Sequence, residues 1–172
     1  MLEPTVQLLL EELAQELERP APSPPQLASI AERLIETGTT DSEPLLLACR
    51  AASLAVCEGH RVHIDLVGIL RGIVDREPGH VEARVELGIA LDVFAHNPKE
   101  AIEHLERAVG IEPTSDGVLG LARLYCERGS RRQALALIRA HPGVRESAAG
   151  QKLEQEITSG DWDGLNSPNS GC

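Results

Sequence analysis

The chain has 172 residues and a hydrophobic content of 42%, enough for one soluble domain with a continuous core. Aromatic residues are confined to Phe94, Tyr125 and Trp162, so that core must be built from Leu, Ile, Val and Ala, which suits closely spaced helices. A formal charge of −11 argues against binding nucleic acid phosphates or anionic lipid headgroups, both of which need a basic surface.

The charge is unevenly placed. Residues 1–45 carry nine acids against Arg19 and Arg33, whereas residues 116–145 carry six arginines against Asp116 and Glu127. The first residues lack a basic stretch, and Leu8-Leu9-Leu10 runs straight into Glu11-Glu12, a pattern unlike a secretory signal. No apolar run approaches the roughly 18 residues of a membrane span. Cys49, Cys57, Cys126 and Cys172 are scattered and are expected to stay reduced, and the expected setting is cytoplasmic.

From Thr5 to Arg19, Val6, Leu9, Leu10, Leu13 and Leu17 fall on one stripe and the glutamates largely on the other, which predicts an amphipathic helix. The proline-rich run from Pro20 to Pro25 cannot continue it. A second helix is expected from near Pro25 to near Gly38, with Leu27, Ile30, Ala31, Leu34 and Ile35 facing inward; residues 1–43 then form a helical hairpin. Asp41 or Ser42 can cap the next helix, with Pro44 in its first turn.

From there a repeating phase sets in. Ser53, Leu54 and Cys57 precede Leu87, Gly88 and Leu91 by 34 positions, and Leu121, Ala122 and Tyr125 follow them by 34. Leu66, Leu70, Ile73 and Pro78 precede Ala101, Leu105, Ala108 and Pro113 by 35, while Ala134 and Ile138 follow Ala101 and Leu105 by 33. Stacked helix pairs produce this signature, because each unit buries its apolar stripe only against its neighbours. Val144 to Ser159, with Ala148, Ala149, Leu153 and Ile157 inward, is expected to be one capping helix stopped by Gly160. Residues 161–172 are polar and rich in Gly, Asn and Ser, the composition of a disordered tail; Trp162 between two aspartates either docks on the last helix or is a short binding motif.

The middle copy, Val81 to Thr114, places Leu87-Gly88, Leu91, Ala101-x3-Leu105, Ala108 and Pro113 in an order that resembles the tetratricopeptide repeat, whose pattern is W-x2-L-G-x2-Y, then A-x3-F, then P, over about 34 residues. Arg84 stands where the pattern has Trp, and Leu91 where it has Tyr. The resemblance implies an all-α, right-handed helical-repeat solenoid of about three helix pairs over residues 44–160, continuous with the N-terminal hairpin. It also implies a protein-binding adaptor that takes a helical or extended peptide in the concave groove lined by the first helix of each pair. The lining residues are Ala48, Ala52 and Ala55 with Gly59, then Glu82, Glu86, Ile89 and Val93, then Asp116, Gly120, Arg123 and Glu127; alternatively the chain's own N-terminal hairpin covers the alanine floor and leaves only the Glu82 side for ligands. The family's clamp for acidic C-terminal peptides needs Lys, Arg and Asn there, and only Arg123 is basic.

Small acidic repeat proteins with an N-terminal dimer helix also resemble translocator chaperones of type III secretion, so a chaperone for a secreted or assembling protein is an alternative. The leucines of the first helix, Leu9, Leu10, Leu13 and Leu17, could form a homodimer seam or simply pack on their hairpin mate. Cys57-x2-His60-x2-His63 has metal-type side chains at short spacing, the one basis for a metal-site or minor enzymatic reading, but it has no fourth ligand nearby and Cys57 falls in a core slot. No nucleophile elbow, phosphate-cradling glycine loop or HExxH is present, so neither an enzyme nor a cofactor is expected.

Overall fold

Proline fixes where several helices begin. Pro4, Pro24 and Pro98 each occupy the first helical position, where the missing amide proton leaves no hydrogen bond unmade. The computed structural model describes residues 2–159, which form ten helices and no strand. The predicted all-α fold is therefore present. The chain divides into two compact units, one ending at Pro78 and the other beginning at Gly79, a boundary inside the stretch expected to run on continuously from residue 44. The sequence-expected tail, with Trp162 and the Gly160 stop, lies outside the described residues.

The first unit comprises α1 (Pro4–Leu17), α2 (Pro24–Glu36), α3 (Ser42–Cys57) and α4 (Leu66–Arg76). Val6, Leu9 and Leu13 of α1 are buried, as are Leu27, Ile30 and Leu34 of the neighbouring α2. Arg33 reaches across this hairpin, one nitrogen lying 3.0 and 2.9 Å from the two Glu12 carboxylate oxygens. At the turn, Glu16 accepts from the Ser23 amide at 2.6 Å and from Arg19 at 2.9 Å. The Ser23 amide is the main reason the Glu16 carboxyl sits below its usual range, with Arg19 adding to it against the effect of burial.

Helices α2 and α3 pack along their length. Their buried residues include Ala28 and Ala31 on one and Ala48, Ala51, Ala52 and Ala55 on the other; short side chains at a contact let helix axes approach closely. Asp41 precedes α3 as expected, but its side chain makes no cap. Instead Ser42 donates to Glu77, and Arg76 donates to the Thr40 carbonyl at 3.2 Å, so the end of α4 holds the start of α3.

The second unit comprises α5 (Val81–Val93), α6 (Pro98–Ile111), α7 (Ser115–Glu127), α8 (Arg131–Ala140), the single turn α9 (Pro142–Arg145) and α10 (Ala148–Ser159). Helices α5 and α6 meet at Gly88, where an added Cβ would fall 2.7 Å from Leu105 Cγ and 3.2 Å from the Ala101 carbonyl oxygen. The glycine exists for that approach. Asn97 and Thr114 cap α6 and α7 by accepting from the Glu100 and Gly117 amides. Helices α7, α8, α9 and α10 share a core of Val118, Ala122, Cys126, Ala134, Ile138, Val144, Leu153 and Ile157.

The single capping helix expected from Val144 is broken in two. Ser147 accepts from the Gly150 amide at 3.0 Å to start α10, and Gly150 lies so close to the Val144 carbonyl that a Cβ would come within 1.9 Å of its oxygen. Turns after α2, α3 and α7 use Gly38, Gly59 and Gly129 at positive φ; the turn after α5 uses His96 at φ 51° instead.

Candidate functional site

The three alanines expected to floor the groove in the first unit are closed off. Ala48, Ala52 and Ala55 are each 0% exposed, in a helix packed lengthwise against α2. This corrects their assignment as partner-binding residues: the small side chains serve the α2–α3 joint. Gly59 likewise belongs to the turn after α3, at φ 82°.

In the second unit the corresponding slots are open. Helix α5 presents Glu82 and Ile89 to solvent, with Glu86, Asp92 and Val93 half-buried; Ile89 is 36% exposed. The neighbouring α7 contributes Asp116, Arg123 and Glu127, all exposed, and the partly buried Gly120. A Cβ at Gly120 would meet only the Leu105 methyls at 3.7 and 3.8 Å, ordinary contact, so this glycine is not required by packing. Gly117 is tighter, 3.2 Å from Val85 Cγ2.

The acids of this face differ in their surroundings. Glu82 and Glu86 each take part in an interaction of their own. Asp92 and Glu127 make no hydrogen bond or ion pair among the described residues. Burial raises the Asp92 carboxyl above its usual range, partly offset by His96. Burial also raises Glu127, the Asp92 charge raises it further, and Arg123 pulls it back. Stepping along the stripe from Glu82 misses Asp92, which stands one position before Val93; its place three residues after Ile89 is the signal that could find it.

Arg84, in the repeat's Trp slot, is 5% exposed. One of its nitrogens lies 3.4 Å from His104 Nδ1, and burial, then the Arg107 charge, lowers its pKa. Tyr125 donates to Glu106 at 2.7 Å, and its hydroxyl is pushed up to about 12, chiefly by burial. Burial likewise pushes the Cys126 thiol up to about 11, which makes it a core group rather than a nucleophile.

Of the leucines considered for a homodimer seam, Leu9 and Leu13 are taken by the first unit's core, at 3% and 2% exposure. Leu10 is half-buried, and Leu17 is exposed along with Leu8. Leu9 and Leu13 are thus used within the unit, while Leu10 and Leu17 keep surface open. Cys49 and Cys126 are buried and outside any disulfide, but Cys57 is disulfide-bonded, against the expectation that it stays reduced, and offers no thiolate beside His60 and His63. No group of three or more His, Cys, Asp or Glu converges on a metal-sized site among the described residues, and no described helix is long and apolar enough to cross a membrane.

A model of the tetratricopeptide repeat family matches residues 95–157, from the turn before α6 into α10. A crystal structure of a thermophilic tetratricopeptide repeat protein from Thermus thermophilus superposes with a TM-score of 0.51 at 17% identity, over 90% of this chain and 87% of that one. At that identity the likeness establishes the helical-repeat fold and nothing about partners. No curated protein matches the sequence.

Proposed function

Because the chain is a tetratricopeptide repeat protein, we propose that it is a non-catalytic protein-binding adaptor whose partner segment lies on the α5–α7 face of the second unit. The observation that carries this reading is Ile89, a large aliphatic side chain left 36% exposed one helical turn before the half-buried Val93, on helices whose other large apolar residues are almost all inside. A helix or extended segment laid on that strip would cover it, as in helix-in-groove recognition. A chaperone for a secreted or assembling protein is one form this binding could take, and genetic neighbourhood separates that case from a general adaptor.

Filling the strip tests the proposal. At Gly120 an added Cβ makes only ordinary contact with the Leu105 methyls, so Gly120→Phe should abolish capture of the cellular partner while leaving the far-UV spectrum helical. Undiminished capture by this variant moves binding to another surface. The charge reversals Glu82→Lys and Glu86→Lys should also weaken capture, mostly through slower association. Since both side chains have interactions within the chain, their melts must be measured alongside.

A further inference from the structure

Accepting that the α5–α7 face binds a protein segment, the character of that segment can be read from the face itself. Its centre is apolar, formed by Ile89 and Val93 on α5 and the partly buried Gly120 on α7. Its margins are anionic: Glu82, Glu86 and Asp92 on α5, Asp116 and Glu127 on α7, against Arg123 as the cation on these two stripes. The charge has no spare use inside the unit at one end, because Asp92 and Glu127 are without hydrogen bond or ion pair among the described residues. Arg123 is near enough to influence Glu127 yet forms no ion pair with it.

We propose that the face docks a cationic amphipathic segment of a protein partner, with apolar side chains on Ile89 and Val93 and an arginine or lysine seated between Asp92 and Glu127. Charge complementarity selects this occupant. An acidic or neutral segment would leave the Asp92 charge acting on the exposed Glu127 carboxylate, whereas a cationic side chain relieves that repulsion on arrival. The repulsion is present before binding: burial raises both carboxyls, and the Asp92 charge raises Glu127 further. The charged groups bearing on the pair are His96 from the α5–α6 turn and Arg123 from α7; neither satisfies it with an ion pair.

The arrangement separates a binding role from a structural one by sign. A carboxylate that holds the fold together destabilises the protein when neutralised. Asp92→Asn and Glu127→Gln should instead leave the melting temperature unchanged or raise it at neutral pH, while weakening the cationic ligand.

The probe is a synthetic amphipathic helix with a leucine stripe flanked by arginines, titrated into the full-length protein by fluorescence anisotropy; the controls are the same helix with glutamine and with glutamate in place of arginine. The arginine helix should bind, the glutamine helix more weakly and the glutamate helix not measurably. The double variant Asp92→Asn, Glu127→Gln should lose roughly five- to tenfold in affinity for the arginine helix and little for the glutamine one. Equal binding of the arginine and glutamine helices, or a double variant that binds like the wild type, overturns the proposal. If Gly120→Phe still blocks binding in that case, the face remains the docking surface and only its charge preference is wrong; if Gly120→Phe has no effect either, the proposed function fails with it. Self-association by light scattering that disappears in the double variant would make a second copy the occupant, and likewise overturns a separate partner.

Discussion

Helices α3 and α5 hold equivalent slots in the repeat phase and have opposite fates. Ala48, Ala52 and Ala55 of α3 stand 34 positions before Glu82, Glu86 and Ile89 of α5. The first three are wholly buried in their unit, while Glu82 and Ile89 of the second set are exposed and Glu86 is half-buried. Helix α3 has the α1–α2 hairpin to close its stripe, and small residues on both sides let α2 lie tightly against it. A slot in a repeat is thus only a direction in space. Whether it serves packing or recognition is decided by the next element that reaches it.

Substitutions can break that contrast. The largest effect should come from Gly88→Leu, since a side chain there runs into Leu105 and the α6 backbone; it should destabilise the second unit by about 1 to 3 kcal/mol in thermal or denaturant melts. Exchanging residues between the equivalent slots is the direct comparison. Ala55→Ile, in the closed joint, should also cost about 1 to 3 kcal/mol, because the α2–α3 contact has no room for the added methylenes. The reverse change, Ile89→Ala, should shift stability by less than about 0.5 kcal/mol, as expected for an exposed position. Equal costs for the two would mean that Ile89 is covered in solution.

Acid sharpens the same contrast, because the two units respond with opposite sign. Glu16 has a folded-state pKa below its unfolded value, so the stability it gives is present above the unfolded value and is lost as pH falls through the folded one. Asp92 and Glu127 have folded-state values above the unfolded ones, so their contribution is most favourable below the unfolded value and is lost as pH rises through the folded value. Native-state hydrogen exchange from neutral pH into the carboxylate range should show α1 and α2 losing protection relative to α5 and α7. A parallel loss in both units would remove the distinction. The smallest effect belongs to Arg33→Ala, which breaks an exposed pair with Glu12 and should cost under about 1 kcal/mol.

Most of the helix pairs are legible because proline, glycine and a 3.6-residue period mark them locally: the first helix is expected from Thr5 to Arg19 and found at Pro4–Leu17. The break before α10 is hidden, since Leu153 and Ile157 keep phase across it and only Ser147 marks a new cap. The site is less legible for a physical reason. A row of alanines is the same sequence whether it floors an open groove or seats a neighbouring helix, and only the tertiary contact distinguishes them. Asp92 escapes notice because an acid between hydrophobic positions reads as solvated surface; its environment is set by burial in the folded unit and by His96 in the following turn.

Helix α10 carries a consequence for growth of the array. It buries Leu153 and Ile157 on one side, while Gln151, Lys152, Gln155, Thr158 and Ser159 are exposed. A further helix pair laid on that outer side would have to strip water from amides, hydroxyls and an ammonium group with no apolar stripe to receive it. The row of repeats therefore has a polarity: the stacking interface is used up at α10, and end-to-end fibre formation through this helix is disfavoured by the chemistry of its outer side.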